Sequence, residues 1–136
     1  MRAEDLQRGI ELFNSGEFLK CHDYFEELIP FESGQSAEFF HGLMELAAAC
    51  YHLTQGNVFG ARYLLTSAVD LLEPCRPSYH GLDVGCLLAQ VERCRALADG
   101  LADDEDVGFD ESHLPTIRFT PSAPDPANRA SQCQED

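Results

Sequence analysis

Residues 17–31, EFLKCHDYFEELIPF, contain the periodicity that decides the fold. Their apolar side chains recur at spacings of three and four, as in an α-helix that buries one face. These side chains are Phe18, Cys21, Phe25, Leu28 and Ile29. The helix is predicted over residues 17–29, because Pro30 disfavours helical backbone in the residue before it. His22 falls on the apolar stripe and Glu26 lies one turn further along, which raises the question of what this polar pair does.

The same spacing predicts four further helices, over residues 4–14, 37–55, 58–73 and 82–99. The helix at 37–55 is apolar over most of its surface, which predicts a central position in the fold. Ser36 is its expected N-cap, because a serine side chain there can accept from a backbone N–H of the first turn. Residues 74–81, PCRPSYHG, are predicted to form a loop.

The sequence changes in kind after the fifth predicted helix. It becomes acidic and rich in proline, and most of it contains too few apolar residues to offset the entropy of ordering. The exception is LPTIRF, residues 114–119, which is predicted to pack as an extended strap across the helices. The side chains expected to pack are Leu114, Ile117 and Phe119. We therefore predict one helical domain over residues 1–120 and a flexible tail over residues 121–136.

An internal sequence repeat indicates how the helices are arranged. Residues 13–29 and 53–69 align at an offset of 40, with Gly16 opposite Gly56 and Phe25 opposite Leu65. Each copy reads as a helix, a glycine-containing turn and a second helix. The predicted fold class is therefore all-α: a compact bundle of about five helices, made of two helical hairpins plus a closing helix, with an extended C-terminal strap.

The charge balance restricts the classes of partner. The chain has 24 acidic and 9 basic residues, a net charge of −15, and this field repels phosphate backbones and anionic lipids. We expect no nucleic-acid and no membrane partner. A protein partner or a homodimer is compatible with the sequence, because the central helix is apolar on more than one side. A salt-loving source is one hypothesis for the acidity, and it predicts easier unfolding in dilute buffer than in molar salt. The alternative is an acidic bacterial protein with an acidic tail.

Two further features bear on the cellular compartment. No stretch approaches the roughly 20 apolar residues that span a bilayer, and acids occur in MRAEDLQRGIELF where a signal peptide would be hydrophobic. We therefore predict a cytoplasmic protein. None of the six cysteines forms a C-x-x-C pair. Four of them, Cys21, Cys50, Cys86 and Cys94, are interpreted as small core residues, with a structural disulfide as the alternative.

Polar side chains recur on two neighbouring predicted helices. His22 and Glu26 share one face, and His52 ends the central helix. Imidazole and carboxylate groups from adjacent helices are the ingredients of a metal site inside a bundle. The predicted ligands of a divalent metal are therefore His22, Glu26 and His52, with Asp23, His41 and Glu45 as neighbours. The alternative is structural, because a half-buried histidine often donates to a carboxylate or carbonyl and holds two helices together.

The segments FNSGEFLKCHDYFEEL and FFHGLMELAAACYHLTQGNVFGARYLL resemble the domain of unknown function 309 family, a group of small all-helical proteins. The positions that fit the family pattern are Phe13, Asn14, Gly16, Phe18, His22, Glu26, Phe40, Gly42, Leu43, Ala47, Ala49, His52, Gly56, Asn57, Gly60 and Ala61. Asp23 and His41 depart from it, standing where Glu and Gln are usual. The resemblance extends over about residues 5–120. It implies a helical fold and a polar cluster of His22, Glu26 and His52, and it implies no assigned reaction.

Two hypotheses of different classes follow for function. In the first, the protein is a binding or interaction domain whose hairpin pair offers a groove to a peptide or partner helix. In the second, it is a metal-dependent, hydrolase-like enzyme in which His22, Glu26 and His52 hold a divalent metal that activates water. The sequence alone leaves open whether the protein is an enzyme. An open pocket beside His22 and His52 would favour the second hypothesis.

Overall fold

The computed structural model describes residues 2–102 and 111–120, which form five α-helices and one small antiparallel sheet. The α-helices are α1 (Ala3–Asn14), α2 (Phe18–Leu28), α3 (Gly34–Thr54), α4 (Val58–Leu72) and α5 (Val84–Ala102). Short 3₁₀ segments occupy Ile29–Phe31, Glu73–Cys75 and Glu111–His113, and the strands are β1 (Ser78–Tyr79) and β2 (Leu82–Asp83). The predicted all-α bundle is confirmed. The predicted tail at 121–136 lies outside the described residues.

The two hairpin turns have the same geometry. Gly16 and Gly56 have φ angles of +85° and +80°, a left-handed conformation that glycine adopts without a steric cost. In each turn the next residue donates to a carbonyl five residues back: Glu17 N to Leu12 O at 3.0 Å, and Asn57 N to His52 O at 2.8 Å. The glycine N–H also donates three residues back in both turns. In each turn these two hydrogen bonds together define a Schellman motif, so the internal sequence repeat reflects a repeated structural unit.

Helix α3 occupies the centre of the bundle, as its composition predicts. It packs against α2 on one side and α4 on the other. A Cβ atom on Gly42 would lie 2.8 Å from Leu72 Cγ, so glycine allows α3 and α4 to approach closely. The apolar sides of α3 are therefore covered within the same chain. Among the described residues, no helix is both long enough and apolar enough to cross a membrane.

Two local predictions are wrong in detail. Helix α3 begins at Gly34 rather than after Ser36, and the Ser36 hydroxyl lies 3.2 Å from the Tyr79 hydroxyl instead of capping the helix. The predicted loop contains the β1–β2 hairpin, whose two-residue turn, His80 and Gly81, has positive φ at both positions. Positive φ at both central positions is what a tight hairpin turn requires.

The strap is present and is held by two side-chain amides. Asn14 Nδ2 donates to Ile117 O at 2.8 Å, and Ile117 N donates to Asn14 Oδ1 at 2.9 Å. Gln90 makes the equivalent pair of bonds with Thr116, both at 2.9 Å. Each side-chain amide thereby makes the two backbone hydrogen bonds that a neighbouring β-strand would make with one residue of the strap. Ile117 is buried and Leu114 is half-buried, as predicted, whereas Phe119 is exposed.

The cysteines on the helices are core residues, as predicted. Cys21, Cys50, Cys86 and Cys94 are all buried. Burial raises the pKa of the Cys21 thiol to about 12 and that of Cys94 to about 11. Burial also raises the pKa of Cys50 well above its ordinary value, and negative charge on Cys94 or Cys21 would raise it further. The thiols of Cys21, Cys50 and Cys94 are therefore protonated, and poor nucleophiles, at neutral pH.

Candidate functional site

His22 lies at the edge of the buried face of α2 rather than within it. Its side chain is 27% exposed, and its Nδ1 lies 3.1 Å from Asp23 Oδ1. Glu26, the partner suggested by helical spacing, is exposed. The carboxylate that His22 contacts is therefore that of the next residue in the chain, on the solvent side of α2.

His52 joins the end of α3 to the start of α4. Its Nδ1 lies 3.3 Å from Asn57 Nδ2, so the amide donates to the ring nitrogen. Asn57 Oδ1 in turn accepts from Gly60 N at 3.1 Å, which makes Asn57 the N-cap of α4. His52 thus supports the hairpin turn through the residue that caps the next helix.

His41 and Glu45 form a pair on the outer side of α3. Their side chains are one helical turn apart, and His41 Nε2 lies 3.1 Å from Glu45 Oε1. Glu45 is only 17% exposed, and its second oxygen, Oε2, is buried. Among the described residues no hydrogen-bond donor reaches that oxygen.

These contacts separate the predicted metal ligands into different pairs. His22 contacts Asp23, His52 contacts Asn57, and Glu26 is exposed. Within residues 2–102 and 111–120, no three or more His, Cys, Asp or Glu side chains are grouped so that they could hold a metal ion. The metal site at His22, Glu26 and His52 stays a prediction.

A different surface has the shape of a binding site. Phe59 and Tyr63 lie one turn apart on the outer face of α4, and they are 76% and 77% exposed. They border a cavity of about 440 Å³ between α4 and α5. We call this region the aromatic surface; its lining residues are Phe59, Arg62, Tyr63, Thr66, Arg95 and Asp99.

Ion pairs organise the charged groups of the aromatic surface. Arg62 Nε donates to Asp99 Oδ1 at 2.8 Å, and the Arg62 guanidinium lies 5.6 Å from the centre of the Phe59 ring. Arg95 Nη1 donates to Glu92 Oε1 at 2.7 Å. Each arginine is therefore neutralised by a neighbouring carboxylate, and the surface is locally balanced in a chain whose net charge is −15.

Sequence reasoning missed the aromatic surface, although a signal for it exists. Phe59 and Tyr63 both lie about 200° around the helix from Ala61, which is on the buried face. Two aromatic residues directly opposite a buried stripe are therefore expected to point into solvent.

A second cavity, of about 460 Å³, lies between the two hairpin turns and the strap. Its lining residues carry no charge: Phe13, Asn14, Ser15, Gly16, Phe18, Thr54, Gln55, Leu114, Pro115 and Thr116. Asn14 is already engaged with the strap, and the Thr54 hydroxyl donates to Tyr51 O at 2.6 Å. The rings of Phe13 and Phe18 are buried, so this cavity offers less surface to a ligand than Phe59 and Tyr63 of the aromatic surface do.

A protein-family model matches the larger part of the two hairpins. Residues 6–64 match the model of a family described as a domain of unknown function, DUF309. The matched segment runs from α1 into α4 and contains His22, Glu26, His41, Glu45 and His52. The resemblance drawn from the sequence is therefore confirmed over these residues. The chain matches no curated protein.

Proposed function

We propose that this protein is a binding domain. The premise is that residues 6–64 match a family described as a domain of unknown function, which has no assigned activity. The observation that carries the proposal is the aromatic surface between α4 and α5. Single exposed apolar residues are common on proteins, so one of them would carry little weight. Here two aromatic side chains, an arginine and a cavity occur together.

The composition of this surface fits recognition of another protein. Tyrosine, phenylalanine and arginine are enriched at protein interfaces, where large rigid side chains fill pockets on the partner. Phe59 and Tyr63 offer such rings at a low entropic cost, since each has only two rotatable side-chain bonds. Arg62 pairs with Asp99, and its guanidinium lies beside the Phe59 ring, so its planar group extends the aromatic surface.

The charges favour one kind of partner. Asp99 and Glu92 are exposed at the rim of the surface, and the whole chain carries a charge of −15. A cationic partner would be attracted over a distance, and its apolar residues would then pack on Phe59 and Tyr63. We therefore propose an amphipathic helix with one apolar face and a net positive charge as the ligand.

A labelled Leu/Lys peptide with one apolar helical face is a direct probe, and fluorescence anisotropy measures its affinity. Replacing both Phe59→Ala and Tyr63→Ala should weaken binding about tenfold or more, because the apolar contact is lost while the charge is unchanged. Phe31→Ala is the matched control, since Phe31 is 83% exposed but lies after α2. The affinity of the Phe31→Ala variant for the peptide should stay within about twofold of that of the unaltered protein.

The proposal fails if the peptide binds the double variant as tightly as the unaltered protein. Such a result would mean that the negative field alone attracts the peptide. Repeating the titration at high salt separates the two contributions, because screening weakens charge attraction and leaves apolar contact in place.

A further inference from the structure

Glu45 is the one side chain of the described residues with a fully buried polar atom and no hydrogen-bond partner. Leaving a buried acceptor without a donor costs about 1–3 kcal/mol, and more when the group is charged. Native proteins contain few such atoms, and an ion or a water molecule often accounts for them. The Glu45 carboxylate therefore needs a further partner besides His41.

His41 and Glu45 have the geometry of a chelate. Residues four apart on a helix lie on one face, and the two ligand atoms, His41 Nε2 and Glu45 Oε1, are 3.1 Å apart. Two atoms each about 2.1 Å from one zinc ion, at angles of about 90–110°, are roughly 3.0–3.4 Å apart. The pair could thus contact one ion with little movement of either side chain, and an ion bound by both oxygens of Glu45 would also give Oε2 the partner that it lacks.

We propose that His41 and Glu45 bind one divalent transition-metal ion, such as Zn²⁺, with solvent in the remaining positions. An imidazole nitrogen beside a carboxylate oxygen suits zinc, nickel or copper, whereas Mg²⁺ and Ca²⁺ prefer oxygen ligands throughout. The described residues provide no group of three ligands, so affinity is lower than at sites with three or four protein ligands. His41 is partly exposed, which leaves an entry path for the ion.

Another histidine–carboxylate pair of the described residues offers a natural comparison. His22 Nδ1 and Asp23 Oδ1 are also 3.1 Å apart, but the Asp23 side chain is largely solvated. Water already satisfies the oxygens of an exposed carboxylate, so an ion gains less by replacing it. The buried oxygen of Glu45 makes its pair the preferred site. This site is independent of the aromatic surface, which lies on α4 and α5.

The test is NMR of the full, untagged chain during addition of substoichiometric NiCl₂. Paramagnetic Ni²⁺ broadens the resonances of rings that bind it, so the His41 ring should broaden first. His41→Ala and Glu45→Gln should each weaken Zn²⁺ binding, measured by calorimetry, by at least about tenfold. His22→Ala and His80→Ala are the controls, and they should leave that affinity within about twofold.

Three results would overturn the proposal. In the first, His22, His52 or His80 broadens before His41. In the second, Glu45→Gln folds normally by circular dichroism and binds Zn²⁺ as tightly as the unaltered chain, so a water molecule satisfies the buried oxygen. In the third, Zn²⁺ does not bind at millimolar concentration. The Phe59→Ala, Tyr63→Ala variant should bind Zn²⁺ as tightly as the unaltered chain. A negative result in the peptide-binding experiment would therefore not affect the interpretation of the Zn²⁺ titration.

Discussion

The two helical hairpins, α1–α2 and α3–α4, have similar buried inner faces and different exposed outer faces. At equivalent positions, Cys21 and Ala61, and Phe25 and Leu65, are all completely buried. The outer positions Leu19 and Asp23 of α2 correspond to Phe59 and Tyr63 of α4. Close packing restricts what an inner position accepts, whereas a solvent-facing position is restricted only by what it binds. The proposed binding surface therefore lies where the two hairpins differ.

The largest expected effect comes from the shared inner face. Phe25→Ala should lower the free energy of unfolding by about 3–5 kcal/mol, because it leaves a cavity against Phe40, whose ring centre is 5.3 Å away. Leu65→Ala, its equivalent in the second hairpin, should cost about 2–5 kcal/mol. Urea denaturation measures both values. If either variant lost less than about 1 kcal/mol, the two positions would not be equivalent core sites.

A smaller effect is expected where the hairpins differ at their turns. Asn14 holds the strap by two hydrogen bonds, whereas the hydroxyl of its equivalent, Thr54, bonds locally, donating to Tyr51 O and accepting from Gln55 Nε2. Asn14→Ala should therefore cost about 1–3 kcal/mol, since two backbone groups of Ile117 lose their partner. Thr54→Ala should cost less than about 0.5 kcal/mol. Hydrogen exchange of the Ile117 amide adds a local readout, and unchanged protection in Asn14→Ala would contradict this role.

A further effect, with a smaller upper limit than that of Asn14→Ala, concerns the geometry that the two turns have in common. Gly16→Ala and Gly56→Ala should each cost about 1–2 kcal/mol, because a side chain disfavours the left-handed backbone although space for a Cβ exists at both sites. Thermal unfolding of the two variants should give equal losses within error. Unequal losses would show that the turns are alike in shape and not in energy.

The hairpins could be predicted from sequence because their determinants are local. Leu6 and Phe13, or Ala61 and Leu65, repeat at helical spacing, and a glycine followed by a polar residue separates each pair of helices. The start of α3 was predicted less well, since Ser33 and Ser36 are both acceptable N-caps by residue type. The β1–β2 hairpin was missed because strands of two residues carry no period.

The contacts that define the sites depend on distant parts of the chain. Asn14 and Ile117 are 103 residues apart, and Arg62 and Asp99 are 37 apart. No local pattern marks such pairs. His22 shows the same limit within one helix. Helical spacing predicts Glu26 as its partner, whereas its Nδ1 lies 3.1 Å from Asp23 Oδ1. Burial of one oxygen of Glu45 likewise depends on how neighbouring helices pack around it.

The most direct test of the account is an NMR titration of the full chain with the Leu/Lys peptide, following backbone amide shifts. We expect the shifts to concentrate on α4 and α5, around Phe59, Tyr63 and Arg95, while the amides of the equivalent positions Leu19 and Asp23 on α2 stay unchanged. Shifts centred on α2, or spread evenly over the acidic surface, would contradict the claim that the outer face of the second hairpin is the binding site.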